Sequence, residues 1–166
     1  MAEAIEKVPA EMRWEIATKG LTGAIVAYSN ALKNAVGEEK FNEFNAGLWY
    51  EAGKGAKQFA DGFGLAVERS KDIGDASELL ALTAMGPEFE FEVVEDTEDR
   101  FVGKATKCPW HERAKELGIE WDFCRVGHQK WGEGLVDSLN PNFSFNLSKS
   151  MQSGDSCCEW VIERKG

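Results

Sequence analysis

The sequence is short of basic charge, of long apolar runs and of the loop motifs that mark the commonest catalytic folds. Nineteen Lys and Arg stand against 29 Asp and Glu, a net charge of −10. With no basic stripe, nucleic acid is not expected as a partner, nor is an anionic membrane surface. The longest apolar run, Ala24 to Tyr28, is far too short to span a bilayer. Met1 to Met12 mixes Glu3, Glu6, Lys7 and Glu11 with small apolar residues, without the basic-then-apolar order of a signal peptide. A cytoplasmic location is expected, where thiols stay reduced. Gly53-Lys54 looks like the end of a phosphate loop. Gly47, however, is separated from the pair by five residues rather than four, and Gly55 stands where a Ser or Thr would hold magnesium. No dinucleotide fingerprint and no Gly-x-Ser-x-Gly elbow occurs.

What is present is an ordinary globular composition in 166 residues, 43% hydrophobic and 29% charged, which suits one domain. The first part, about residues 10–86, reads as helix. Trp14, Ala17, Leu21, Ile25, Tyr28, Leu32 and Val36 recur every three or four residues and predict one apolar stripe facing a core, with Gly37 as the stop. Phe41, Phe44, Leu48, Ala52, Ala56, Phe59 and Phe63 predict a second, glycine-rich helix whose glycines permit close approach of another helix or of a ligand held between this helix and the aromatic cluster. Asp75 and Glu78 have capping-box spacing and predict the start of a third, ended by Gly86-Pro87.

The pattern then changes. Glu88 to Val93 alternates with period two, Asp96 to Asp99 is a turn, and Arg100 to Thr106 returns, with Lys104 placed to meet the glutamates. Cys108-Pro109 opens a helix with proline at its first position, closed by Gly118. Asp122 is expected to cap another, ended by Asn140-Pro141. Phe143, Phe145 and Leu147 mark a third strand and Cys157 to Glu163 a fourth. The order ααα-ββ-αα-ββ defines an α+β domain with helices on a four-stranded antiparallel sheet.

All four cysteines, Cys108, Cys124, Cys157 and Cys158, fall after residue 107, as do both histidines, His111 and His128. Cys124 and His128 share a helix face one turn apart. Cys108 and Cys124 lie at helix starts, where the dipole is expected to favour thiolate. Cys158 shares a strand face with Trp160 and Ile162 and points inward. Three readings are open: a zinc-type cluster of Cys108, Cys124, His128 and Cys158, a reactive thiol, or inert packing. His111 reads as a solvated surface residue. Asp155, after a turn glycine, reads most simply as a turn acceptor. Trp110, Trp121, Trp131 and Trp160 cluster around the cysteines as core or as a wall for a planar ligand.

Cys108-Pro109-Trp110, Glu116-Leu117-Gly118, Cys124, Leu139-Asn140-Pro141 and Gly154-Asp155-x-x-Cys158-Glu159-Trp160 together resemble the L-2-amino-thiazoline-4-carboxylic acid hydrolase family. More distantly they are similar to the 4-vinyl reductase ligand-binding domain. The resemblance covers about residues 100–163, within a vinyl-reductase-like part spanning about 88–163. It implies hydrolysis of a C–N bond in a cyclic amidine-like substrate. Cys124, His128 and Asp155 would be catalytic, or zinc or another transition metal would be held by Cys108, Cys124, His128 and Cys158. The vinyl-reductase likeness implies the alternative, a non-catalytic small-molecule binding or sensor domain, sometimes with cysteine-bound zinc. That pattern has a cysteine on the penultimate strand, where this chain has Phe145, Asn146 and Leu147. Either way the partner is a small molecule. A third reading is a homo-oligomerisation module paired through sheet edges.

Overall fold

A computed structural model describes residues 5–166, so the first four residues of the stretch read for a leader lie outside it. Six helices and four strands follow in the order α1 (Ala10–Val36), α2 (Glu38–Lys54), α3 (Ala56–Phe63), α4 (Ser70–Met85), β1 (Glu90–Asp96), β2 (Arg100–Lys107), α5 (Pro109–Glu116), α6 (Arg125–Leu139), β3 (Phe143–Lys149) and β4 (Cys158–Arg164). The strands form one antiparallel sheet in the order β1-β2-β4-β3. This is the α+β arrangement expected. Among the described residues no helix is long and apolar enough to cross a membrane.

The sheet's dry face carries Phe101, Phe143, Phe145, Cys158, Trp160 and Ile162, and packs on Ile73 of α4 and Leu135 of α6. A second, smaller cluster joins Val26, Phe41, Ala114, Ile119 and Phe123. The helices α2 and α6 cross at very close range. A Cβ on Gly53 would lie 2.1 Å from the Trp131 carbonyl oxygen, and one on Gly134 would lie 2.1 Å from that of Tyr50. These glycines are therefore packing residues, since any side chain would force the backbones apart.

Four local expectations are corrected. The second predicted helix is broken at Gly55, leaving α2 and α3. Helix α4 starts at Ser70, not Asp75: the Arg69 amide donates to Asp72 Oδ2 at 3.0 Å, and Ser70 Oγ donates to the Thr97 carbonyl at 2.8 Å, tying the helix start to the β1–β2 turn. Asp122 does accept from the amides of Cys124 and Arg125, at 3.1 and 2.8 Å, but the regular helix begins only at Arg125.

The largest correction concerns α1. Its buried residues are Thr18, Thr22 and Val26, while Trp14, Ala17, Leu21, Tyr28 and Leu32 of the predicted core stripe are exposed. The threonine hydroxyls donate to the Trp14 and Thr18 carbonyls of their own helix, at 2.9 and 2.8 Å, so they enter the interior without an unpaired polar group. One of them also meets Gly86, where a Cβ would fall 2.1 Å from Thr18 Oγ1.

The sheet edges are closed. On β3, the Leu147 amide donates to Gln129 Oε1 at 2.8 Å and Gln129 Nε2 donates to the Phe145 carbonyl at 3.1 Å, so an α6 side chain occupies the free edge. Edge strand β1 carries Glu90, Glu92, Glu95 and Asp96 and has two register shifts against β2. Charge and bulges of this kind disfavour edge pairing. Lys104 pairs with Glu92 across the ladder, as expected.

Candidate ligand cavity

One cavity of about 540 Å³ opens between the helices and the sheet. Its lining draws on both core clusters. From the C-terminal part come Cys108, Cys124, His128, Trp131, Cys158 and Trp160. The opposite wall comes from the helical part: Trp49 of α2, Phe59 of α3, and Ser77, Leu80 and Ala81 of α4. Not one Asp, Glu, Lys or Arg is among the lining residues.

Each C-terminal side chain is placed by an element boundary or a register. Cys108 follows β2 as the N-cap residue of α5, with Pro109 next. Cys124 is the N-cap residue of α6, and its carbonyl accepts the His128 amide at 2.7 Å, fixing the two on one face. Cys158 pairs with Ala105 in the β2–β4 ladder, and its sulfur accepts the Met151 amide at 3.4 Å. The structure therefore brings Cys108, Cys124, His128 and Cys158 to one cavity. It does not bring them together as ligands: among the described residues no group of three or more His, Cys, Asp or Glu is arranged to hold a metal ion.

The expected thiolates are also corrected. Burial pushes the Cys108 thiol up, outweighing the amides of His111 and Trp110 that favour its charged form. Burial pushes Cys124 well up, reinforced by the neighbouring Cys108 and Cys158. Cys158 rises to about 12, again chiefly through burial. A helix start lowers a thiol's pKa only where solvent or a cation also stabilises the anion, and here desolvation wins. His128 is lowered to about 4 by burial alone. Its ring sits among Phe145, Trp160 and Trp131, with centroids 5.8, 5.9 and 6.5 Å away. It is neutral at pH 7, with one ring nitrogen a donor and the other an acceptor.

Asp155 lies outside the cavity lining. It is exposed, and its Oδ2 accepts the Ser150 amide at 2.8 Å, the turn role. Cys157 is buried but absent from the lining. His111 is not free in solvent: Nδ1 is 3.0 Å from Gln152 Oε1. Trp121 packs edge-on against Phe41, with centroids 5.0 Å apart, whereas Trp110, Trp131 and Trp160 do line the cavity. The glycine-rich helix expected beside a ligand does contribute, through Trp49 and Phe59, whereas the α4 part of the wall was not expected. Its one local signal was the run of small and apolar residues, Ala76 to Ala84, on a helix that has to face the sheet.

The fold and site define an α+β domain built around a cavity whose lining carries no charged residue. The chain belongs to the L-2-amino-thiazoline-4-carboxylic acid hydrolase family, whose pattern matches residues 19–161. Two solved structures share the fold. One is trafficking protein particle complex subunit 3 from Naegleria fowleri covalently bound to palmitic acid, with a TM-score of 0.60 and 14% identity, covering 91% of this chain and 96% of that one. The other is the phenol-responsive sensory domain of the transcription activator PoxR with phenol, with a TM-score of 0.57 and 11% identity, covering 86% and 74%. No curated protein matches the chain.

Proposed function

We propose that the cavity binds a neutral, planar or apolar small molecule that presents one hydroxyl or N–H group to His128. The observation that carries this reading is the complete lack of charged residues in the lining. Transferring an anionic ligand into such a site costs several kcal/mol with no counter-charge to offset it. A neutral aromatic is favoured by burial against Trp49, Trp131 and Trp160, and neutral His128 supplies one directional hydrogen bond. The volume falls in the range of small-molecule sites. The fold neighbours solved with phenol and with palmitic acid are in keeping with an apolar ligand.

Family membership supports a second reading, hydrolysis of a C–N bond in a cyclic amidine. The neutral base His128, one turn from Cys124, would take the proton of an attacking thiol or water. Such a substrate would have to enter uncharged, and no carboxylate orients the imidazole. Calorimetric titration separates the two readings. The binding reading expects neutral phenols and heteroaromatics to bind without turnover. Release of product from a thiazoline substrate, lost in His128→Phe, would replace it with the hydrolase reading.

A further inference from the structure

We infer that the outer face of α1 is the contact for a second copy of this chain, packed antiparallel about a two-fold axis.

The face is exposed along its whole length. Leu21 is 52% exposed, Tyr28 78% and Leu32 41%, and Trp14, Ala17, Ala24, Ala31 and Ala35 are also exposed. Among the described residues its one side-chain bond to another element is at the N-terminal end, where Trp14 Nε1 donates to the Thr83 carbonyl of α4 at 3.1 Å. An exposed helix face in a soluble domain is normally polar. This one alternates large and small residues with a seven-residue repeat: Trp14, Leu21 and Tyr28 are large, and Ala17, Ala24 and Ala31 lie between them. Those are the core positions of a coiled-coil seam.

The alternation is what selects a second copy. In an antiparallel pair the core positions of one helix meet the alternate core positions of the other. A single register places Trp14 opposite Ala31 of the second copy, Leu21 opposite Ala24, and Tyr28 opposite Ala17. Every knob then faces a small residue, and the arrangement is its own mirror under the two-fold, as an isologous interface requires. The positions flanking the seam are Thr18, Gly20, Ile25, Ala27, Leu32 and Asn34. Arg13, beside Trp14, is the one charged flank; in this register its two copies lie at opposite ends of the seam, so two copies of net charge −10 meet without like-charge contact there. The helix has 27 residues. Its exposed apolar side chains offer on the order of 600 Å² per copy, the small end of specific interfaces.

Sedimentation velocity of the full chain at about 100 µM, where protomer concentration sets the dimer fraction, tests the inference. Twice the 18.4 kDa chain mass is expected. Ala24→Glu, which places two unpaired carboxylates at the centre of the seam, should weaken the dimer by about 100-fold with an unchanged circular dichroism spectrum. Mild oxidation of Ala17→Cys/Tyr28→Cys should link two chains. Ala17→Cys alone should not, because in this register its two copies sit about 16 Å apart along the axis. A monomer at that concentration, a dimer indifferent to Ala24→Glu, or linking by the single variant would overturn the inference.

Discussion

The cavity and the outer face of α1 are both apolar surfaces left unfilled by the side chains of the described residues, and they differ in shape. The cavity is concave, walled by aromatic rings and thiols, and sized for a small molecule. The outer face of α1 is convex and ridged, with alanines between large residues. Both lack charge. A concave apolar surface gains most from a ligand that fills it, because the lining has no partner atoms until then. A ridged convex surface gains only when an equally long surface is laid on it. The same residue chemistry therefore serves two kinds of partner, and the backbone decides which.

If that division is right, the two surfaces can be broken separately. Ala81→Trp fills the cavity from α4 and should reduce ligand affinity at least about 100-fold, because overpacking leaves no room for the ligand, while sedimentation shows an unchanged dimer. Ala24→Glu should do the reverse. Loss of both properties in either variant would mean that the two surfaces are one coupled unit.

His128 and Glu78 sharpen the comparison by their response to pH. Burial holds His128 at about 4 in the folded state against an ordinary 6.5, so the unfolded chain takes up the proton first. The stability from neutral His128 is complete above pH 6.5 and is lost as pH falls towards 4, by on the order of 2 kcal/mol. His128→Phe should flatten that acid limb in urea titrations and weaken binding of a hydroxylated ligand about 10-fold. Glu78 has the opposite sign. Burial, with Asp75 beside it, raises it to about 7, and its Oε1 is buried without a partner. Its contribution is present below pH 4.5 and is lost as pH rises through 7. Glu78→Gln should therefore stabilise the chain at pH 8 by about 1 kcal/mol, after allowance for its partial exposure. A destabilised variant at that pH would refute the assignment.

The smallest contrast is between two cysteines. Cys124→Ala alters the cavity wall and should change ligand affinity several-fold. Cys157→Ala, outside the lining, should cost about 1 kcal/mol of stability and leave affinity unchanged. Equal affinities in the two variants would reduce Cys124 to packing.

Much of the fold was legible in the sequence. The period-two runs at Phe89-Phe91 and Phe143-Leu147 became strands, and Cys108-Pro109 and Gly118 marked helix ends where the structure has them. The orientation of α1 was misread for a physical reason. Threonines that bond their own helix are as fit for burial as valine, and an apolar stripe that serves a second copy looks the same as one that serves the core. At the site, the sequence showed that Cys124 and His128 share a face and that Cys158 points inward. It placed the glycine-rich helix, which supplies Trp49, opposite the aromatic cluster, but it did not show the α4 part of the wall, Leu80 and Ala81. Nor did it show burial, which reverses the thiol chemistry suggested by the helix starts.

The most direct test of the account is a matched pair of ligands in one thermal-shift series: an uncharged heteroaromatic and its carboxylate derivative. The account predicts that the neutral compound raises Tm in the wild-type chain and not in Ala81→Trp, while the carboxylate leaves Tm unchanged. A rise with the carboxylate and none with the neutral compound would contradict it.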